Sequence, residues 1–282
     1  MTEATRRATV IGAGGFIGRR LAARLHKEGW DCLAPPRADL GFLGDDLGTV
    51  FYCAGLTADY ARRPHDTIRA HVGLLNELLA ESRLESLVYL SSTRLYDGRP
   101  GFAGAKVDED TPLALDAAQP RHLFDLSKAL GESLCRQAGA GRARIARLSC
   151  VYSGEADDAD GFLGSLLARL RAPGRGPVLE IDSSPEAGRD YVHADDVIEA
   201  LLAIALRGTR PLYNVASGVD VSNRELFARL GELAGCELLA LRDGPVPCAA
   251  PVSIERMKSE FGWRPRALLD ELPALLGEAV PC

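Results

Sequence analysis

Long apolar runs are the first thing that this 282-residue chain lacks. No stretch approaches the roughly 20 apolar residues that a transmembrane helix needs. The opening segment, residues 1–7, is polar and has no apolar core of the kind found in a secretory signal peptide. We therefore expect no membrane partner and a cytoplasmic location.

The cysteines lack a metal-binding pattern. There are seven of them, and they include no Cys-x-x-Cys pair and no spacing typical of a zinc or iron site. An odd number of cysteines in a chain without a leader favours a reducing compartment. We therefore expect free thiols and no bound metal.

A dominant charge of either sign is also missing. The net charge is −6, and acidic and basic residues are scattered along the chain. This distribution argues against nucleic acid as the partner, because nucleic-acid sites are strongly basic. The hydrophobic content of 46% and the charged content of 26% are those of a globular protein.

Over the first 150 residues, short apolar runs alternate with segments in which apolar residues recur at helical spacing. Residues 49–53 and 87–90 are examples of such runs. In an alternating pattern, continuous apolar strands are typical of a parallel sheet that helices cover on both faces. The sequence therefore predicts an α/β fold with a Rossmann doubly wound parallel sheet.

The pattern changes near residue 150, where the elements become shorter and less regular. We predict a first domain over residues 1–150 and a smaller α/β subdomain over 151–282, with strands at about 189–215 completing the first sheet. Ser222 and Glu225 have the spacing of a capping box that opens a helix. Ser253 is predicted to cap another helix.

A glycine-rich turn follows the first predicted strand and opens the first helix. Gly12, Gly15 and Gly18 have the G-x-x-G-x-x-G spacing, with Phe16 and Ile17 between the last two. Glycines at these positions permit a tight turn and a close approach of the backbone to a pyrophosphate. This turn predicts a dinucleotide site.

The edge of the predicted sheet beyond the second strand is short. Only fourteen residues, 35–48, separate the second strand from the third, too few for a full helix and strand with their loops. Contacts to an adenosine would then come from Arg37, Asp39 and Leu40. An arginine after this strand is typical of a 2′-phosphate site and favours NADP, although a solvated loop arginine is an equal alternative.

Further motifs lie at strand ends and on one helix. They are Cys53-Ala54-Gly55, Leu90-Ser91-Ser92-Thr93-Arg94-Leu95-Tyr96, Phe124-Asp125-Leu126-Ser127-Lys128, Arg147-Leu148-Ser149-Cys150-Val151-Tyr152, Arg189-Asp190-Tyr191-Val192-His193 and Tyr213-Asn214-Val215-Ala216-Ser217-Gly218. With the glycine turn they resemble the extended short-chain dehydrogenase/reductase superfamily. Within it, the closest likeness is to the NAD-dependent epimerase/dehydratase family that acts on nucleotide sugars, and it runs almost end to end.

The resemblance implies a site for NAD or NADP and a nucleotide-sugar substrate. The cofactor contacts implied are Gly12, Gly15, Phe16, Ile17, Gly18, Arg37, Asp39, Leu40, Cys53, Ala54, Gly55, Ser91 and Lys128. The resemblance also implies a homodimer formed by the helix after Cys53 and the helix that carries Phe124.

The resemblance further assigns roles around the reacting atoms. Ser92 would polarise the substrate oxygen, and Lys128 would orient the cofactor. Arg189 would contact the diphosphate with its planar guanidinium. The other substrate contacts implied are Thr93, Tyr96 and Cys150.

Two histidines fall within these segments. His193 is expected to be a hydrogen-bonded structural group. His71 stands where the family usually has an asparagine, and it is expected either to reach the site or to be a buried structural residue.

Phe124 is the departure that matters most. A Tyr-x-x-x-Lys pair on one helical face is the acid/base pair of the family, and this chain keeps Lys128 but has Phe124 at the tyrosine position. A phenyl ring cannot exchange a proton. Positioned acid/base catalysis is worth on the order of 10²–10⁴-fold.

Three interpretations of Phe124 stay open. It is an introduced Tyr→Phe change that holds ligands without turnover, a natural variant in which Ser92, His71 or a water moves the proton, or the mark of a cofactor-binding protein that lost catalysis. The chain is accordingly interpreted as an epimerase, dehydratase or reductase of a nucleotide sugar. The alternatives are a non-catalytic NAD(P)-binding protein and a reductase of a natural-product ketone or alcohol.

Overall fold

A computed structural model describes residues 6–37, 39–97, 106–119, 122–138, 141–154, 161–243 and 250–277. The strands are β1 (Arg7–Ile11), β2 (Asp31–Leu33), β3 (Thr49–Tyr52), β4 (Ser86–Ser92), β5 (Ala143–Leu148), β6 (Cys150–Tyr152), β7 (Val178–Ile181), β8 (Gly188–His193), β9 (Leu212–Val215), β10 (Asp220–Ser222) and β11 (Glu237–Ala240). The helices are α1 (Phe16–Lys27), α2 (Pro64–Ile68), α3 (Leu74–Glu81), α4 (His122–Gln137), α5 (Phe162–Arg171), α6 (Ala194–Arg207), α7 (Asn223–Ala234), α8 (Glu255–Phe261) and α9 (Leu268–Leu276).

The main sheet has six parallel strands in the order β2-β1-β3-β4-β5-β9. One hydrophobic cluster packs α1 and α6 on one face, and another packs α3 and α4 on the other. This arrangement confirms the predicted α/β doubly wound fold. Its apolar strands are buried on both faces, as a sheet covered twice requires.

The shortened edge is also confirmed. β2 is the edge strand, and the described residues between β2 and β3 contain no helix. The chain returns across the sheet through turns that include an Asp46–Arg83 bridge. The main sheet therefore ends at β2 on this side.

The second half of the chain builds a separate core. β6, β8 and β10 form a three-stranded sheet, and β7 pairs with β11. A hydrophobic cluster joins them to α5, α7 and α9, with described members between Tyr152 and Leu276. A domain boundary near residue 150 stays a prediction.

Two expectations for this half are wrong. β9 joins the main sheet, but β8 pairs with β6 and β10 instead of completing that sheet. Ser253 is not the cap of α8, because Ile254 holds that position, although the Ser253 hydroxyl accepts from the Glu255 N–H at 3.4 Å. The Ser222–Glu225 capping box of α7 is confirmed.

Within the described ranges, no helix has both the length and the apolar character needed to cross a membrane.

A buried ion pair joins α4 to the main sheet. The Arg147 guanidinium of β5 donates to both Glu132 carboxylate oxygens of α4, at 2.8 and 2.7 Å, and both side chains are about 95% or more buried. The Ser91 hydroxyl of β4 donates to the same carboxylate at 2.6 Å. Arg147 also donates to the Tyr96 hydroxyl at 2.8 Å, and that hydroxyl donates to Asn214 at 2.8 Å.

Removing the charge from this pair is expected to destabilise the fold strongly. Glu132→Gln leaves the Arg147 guanidinium buried without its anion, which should lower the free energy of unfolding by about 3–5 kcal/mol in urea denaturation. The matched control is Glu232→Gln in the exposed Arg229–Glu232 pair, where we expect less than about 1 kcal/mol. Equal losses in the two variants would contradict the account.

Candidate functional site

The predicted site residues follow the carboxyl ends of neighbouring parallel strands. The glycine turn follows β1, Cys53 follows β3, and Ser92 ends β4. Since parallel strands end at one edge of a sheet, these segments lie side by side, where ligands of doubly wound sheets bind.

The glycine turn forms an open cradle. Gly12 has φ +85°, and a Cβ there would lie 2.7 Å from the Ala54 nitrogen; a Cβ on Gly18 would lie 2.3 Å from the Gly12 oxygen. A Cβ on Gly14 would meet nothing within 4 Å, so the turn is closed toward the protein and open outward. α1 begins at Phe16 without a side-chain cap, which leaves its first N–H groups available to an anion. The cradle fits a dinucleotide pyrophosphate.

Phe16 and Ile17 lie on the first turn of α1, where their roles are mainly packing. The Arg20 guanidinium lies 4.2 Å from the Phe16 ring centroid, and Ile17 packs against the main core. Contacts from these two residues to a cofactor stay a prediction.

The adenosine side carries an exposed arginine. The Arg37 side chain is 70% exposed, and its guanidinium lies 3.7 Å from the Asp66 carboxylate, which pairs more closely with Arg63. Asp39 accepts from the Gly41 N–H at 2.8 Å in a local turn, and Leu40 packs against the core. The Arg37 guanidinium is thus placed to meet a phosphate from solvent.

A π-helical turn places His71 in the interior. This turn, Arg69–Gly73, lies between α2 and α3. The Tyr52 hydroxyl donates to the Ala70 carbonyl at 2.7 Å, and the Tyr89 hydroxyl donates to the His71 carbonyl at 3.1 Å. These bonds occupy carbonyls at the interruption of the helical ladder, a feature frequent at functional sites.

His71 is fixed as a neutral structural group. Its Nε2 accepts from the Leu56 N–H at 3.2 Å, so Nδ1 carries the proton and donates to the Ser127 hydroxyl at 2.8 Å. Ser127 in turn donates to the Phe124 carbonyl at 2.9 Å. Burial, and then the charge of Lys128, lower the pKa of His71 to about 3. Of the two expectations for His71, the buried structural one is confirmed.

Lys128 lies in the floor of the site. Its ammonium donates to the Leu90 carbonyl at 2.8 Å, 5.0 Å from the Tyr89 ring centroid. A Cβ on the exposed Gly55 would lie 3.3 Å from this ammonium, so the loop after β3 passes close above it. Burial lowers the pKa of Lys128 to about 8, which still leaves it cationic at neutral pH.

Phe124 fills its position completely. The side chain is 2% exposed, and its ring meets His71 edge-on at 5.3 Å and Tyr60 at 5.5 Å. The Arg94 guanidinium lies 4.6 Å from the Phe124 ring centroid and 5.5 Å from that of Tyr60. One cation therefore covers two aromatic rings at this edge of the sheet.

Three predicted site residues at the end of β4 and just after it, Ser91, Ser92 and Tyr96, face different ways. The Ser92 hydroxyl accepts from the Arg94 N–H at 3.2 Å and donates to no acceptor among the described residues, so its proton is available to a ligand. Ser91 and Tyr96 are instead engaged in the buried ion-pair network. Their predicted cofactor and substrate contacts stay predictions, and this geometry gives them no support.

The structure brings Cys150 and Arg189 together. β6 and β8 pair in parallel, and Arg189 lies near Cys150, where its positive charge partly offsets the rise that burial causes in the pKa of the Cys150 thiol. Thr93, next to Ser92, is bonded to the end of β5, because its hydroxyl donates to the Leu148 carbonyl at 3.3 Å. Arg189 itself is exposed. His193, expected to be structural, accepts from the Asp195 N–H at 3.2 Å and caps α6.

Sequence reasoning missed Tyr60, Arg94 and Ser127 as site residues. Tyr60 lies in the loop after Gly55, and no periodic pattern indicates which way a loop side chain points. Arg94 and Ser127 lie inside recognised motifs, two residues after Ser92 and one before Lys128. That proximity was the available signal.

Comparison with known proteins identifies the family. The model of the NAD dependent epimerase/dehydratase family matches residues 8–216. The GDP-6-deoxy-D-mannose reductase of Pseudomonas aeruginosa is 28% identical over 304 residues, covering 97% of each chain. A dTDP-4-dehydro-6-deoxy-D-allose reductase of a Streptomyces species is 25% identical over 309 residues, covering 94% of this chain and 93% of that protein.

Solved structures show the same fold. The structure of RMD from Pseudomonas aeruginosa complexed with NADPH aligns with a TM-score of 0.77 at 24% sequence identity, and the alignment covers 97% of each chain. At this level of identity the likeness supports the doubly wound fold.

Replacing His71 is expected to reduce the acid sensitivity of the fold. The folded-state pKa of His71 lies below its usual 6.5, so the unfolded chain binds the proton first as the pH falls. The stability tied to neutral His71 is fully present above about pH 6.5 and is lost progressively toward pH 3, by at most about 1.4 kcal/mol per pH unit. His71→Asn should flatten this limb in urea denaturation at a series of pH values.

The matched control for His71 is His65→Asn on the exposed surface of α2. It should leave the acid limb unchanged. If both variants keep the wild-type slope, His71 does not carry the acid sensitivity assigned to it.

Proposed function

The chain belongs to the NAD-dependent epimerase/dehydratase family, and we propose that it is an NADPH-dependent reductase of a nucleotide-activated 4-dehydro-6-deoxyhexose. The observation that carries this proposal is the edge of the main sheet, where the glycine cradle and the Ser92 hydroxyl lie, together with the exposed Arg189 on β8 of the three-stranded sheet. These three features match, in order, a cofactor pyrophosphate, a reacting sugar oxygen and a substrate diphosphate.

The residues present fit a dinucleotide cofactor. When bound, NADPH supplies the hydride. The cradle of Gly12, Gly15 and Gly18 holds the pyrophosphate, and exposed Arg37 favours the 2′-phosphate of NADPH. Lys128, whose ammonium lies beneath Gly55, orients the nicotinamide end of the cofactor and supplies positive potential there.

Ser92 and Arg189 act on the substrate. The free proton of the Ser92 hydroxyl donates to the carbonyl oxygen as negative charge develops on it. The planar guanidinium of Arg189 suits a diphosphate, and Cys150 and Thr93 are the predicted contacts to the rest of the substrate.

Reduction fits this site better than epimerisation. An epimerase needs a group that takes a proton from a hydroxyl and later returns it, whereas a reductase delivers one proton once. A benzene ring at position 124 removes the group placed for both steps. The two curated relatives described above are both named as reductases, which favours the same reaction here.

The alternative is a non-catalytic NAD(P)-binding protein. It is favoured by the packing of Phe124, whose ring is buried against His71, Tyr60 and Arg94 as a structural residue would be. The exposed Arg189 disfavours it, because a protein that only senses the cofactor has little use for a diphosphate contact.

Turnover with a panel of nucleotide-activated 4-dehydro-6-deoxyhexoses tests the proposal. We expect wild type to oxidise NADPH, and Phe124→Tyr, which restores a phenol at the family position, to raise turnover at least about tenfold. Arg189→Ala should raise KM for the nucleotide sugar while leaving KM for NADPH unchanged. Cofactor binding without turnover in both wild type and Phe124→Tyr would contradict the reductase and favour the alternative.

The same assay tests the preference for NADPH over NADH. Arg37→Ala should weaken NADPH but not NADH, because only NADPH has the 2′-phosphate. Arg83→Ala serves as its matched control, since Arg83 lies before β4 rather than after β2.

We also propose that the protein is a homodimer built on α2 and α4. Ile68, Leu126 and Leu130 are exposed apolar residues on these helices, with Leu130 51% exposed and one helical turn from Leu126. Leu130→Glu should convert a dimeric native mass in light scattering to a monomeric one. Leu206→Glu on α6, across the sheet, should stay dimeric. A monomeric wild type would contradict the proposal.

A further inference from the structure

Reduction of a ketone needs a proton donor that position 124 does not provide. The carbonyl carbon gains a C–H bond, and its oxygen must gain a proton to leave as a hydroxyl. We look for the donor beside Phe124, because Arg94 contacts both the Phe124 ring and the Ser92 hydroxyl that is expected to bind the reacting oxygen. This question rests on the proposed function, since only a reducing enzyme needs the donor.

The polar groups behind Phe124 direct their hydrogen bonds into the protein. His71 donates its one ring proton to Ser127, and Ser127 donates its own to the Phe124 carbonyl. Both side chains are at least 98% buried. Lys128 is held beneath Gly55 by its bond to the Leu90 carbonyl. Their hydrogen bonds fix α4 and the loop after β3 in place.

Tyr60 is the phenol in front of Phe124. Its ring centroid lies 5.5 Å from that of Phe124, with the rings inclined at 57°. Tyr60 is partly exposed, and its hydroxyl has no hydrogen-bond partner in the part of the chain that the structure describes. It lies in the loop after Gly55, the same loop that covers Lys128. A phenol is therefore present next to the position that lacks one.

Arg94 gives this phenol a cation. Its guanidinium carbon lies 5.5 Å from the Tyr60 ring centroid and 4.6 Å from that of Phe124. Its backbone N–H bonds the Ser92 hydroxyl oxygen, which fixes the turn that carries it. A guanidinium stays charged at every working pH and stabilises negative charge that develops nearby. The Tyr60–Arg94 pair thus has the chemistry of a Tyr–Lys pair.

We propose that Tyr60 is the general acid of the reduction and that Arg94 stabilises the phenolate it leaves. The carbonyl carbon takes the hydride of NADPH as the C=O π bond breaks, and the π electrons become an oxygen lone pair. That oxygen takes the proton of the Tyr60 hydroxyl. The phenolate regains a proton from water after the product leaves, so that the ketone is reduced and NADPH is oxidised.

A set of single-oxygen variants tests this assignment. Tyr60→Phe should lower turnover by about 10²-fold or more, with the affinity for NADPH, measured by its fluorescence, unchanged. Phe124→Tyr in the Tyr60→Phe background should restore most of the loss. Tyr152→Phe is the matched control, because its hydroxyl is buried without a partner among the described residues, and it should keep wild-type turnover.

Arg94 is tested by separating its effect on kcat from its effect on binding. Arg94→Gln should lower kcat while leaving KM for NADPH unchanged, because loss of the cation removes the stabilisation of the negative charge that develops on the phenol, and Arg94→Lys should restore most of the activity. A purely structural Arg94 would change stability without this selective loss of kcat. Thermal unfolding of each variant confirms that it is folded.

Four outcomes decide the inference. An active wild type with an inactive Tyr60→Phe and rescue by Phe124→Tyr supports it. An active Tyr60→Phe overturns the role of Tyr60 and leaves the reductase standing. An inactive wild type with an active Phe124→Tyr also overturns the role of Tyr60 and leaves the reductase standing. Inactivity of both wild type and Phe124→Tyr overturns the proposed function, and the role of Tyr60 with it.

Discussion

The buried pair of Glu132 and Arg147 holds the site together. It joins α4 to β5, and the Ser91 hydroxyl joins β4 to the same carboxylate. Phe124, Lys128 and Glu132 are spaced by four along α4 and share one face. Anchoring Glu132 therefore sets where Lys128 and Phe124 lie relative to the end of β4. Such pairs add little net stability, because burying two charges is costly, but they specify one arrangement.

The anchored face leads to a division of roles at the sheet edge. Behind Phe124, His71 and Ser127 form a closed relay that ends on the Phe124 carbonyl, so they fix α4 against the π-helical turn. In front of Phe124 lie the groups that can act on a ligand: the Ser92 hydroxyl, the Tyr60 phenol and the Arg94 guanidinium. The position that lacks a phenol has Tyr60 as a neighbour, with the two ring centroids 5.5 Å apart.

Sequence patterns predicted the elements that show a regular apolar period or contain residues typical of a turn or a helix cap. The glycine turn, the apolar strands of the main sheet, the short edge after β2 and the Ser222 capping box were all predictable, because each depends on local residues. β8 was assigned to the wrong sheet, since its partner depends on long-range register. β6, β10 and β11 lie outside the predicted elements. Tyr60 was missed because loop side chains are placed by tertiary contacts.

The arrangement of the reacting groups is tested most directly by the structure of a ternary complex with NADPH and a nucleotide-activated 4-dehydro-6-deoxyhexose. We predict that the sugar carbonyl oxygen lies within hydrogen-bond reach, about 2.6–3.2 Å, of both the Ser92 and Tyr60 hydroxyls. We also predict that the diphosphate contacts Arg189. A carbonyl oxygen that contacts neither hydroxyl, or a diphosphate bound away from Arg189, would contradict this arrangement.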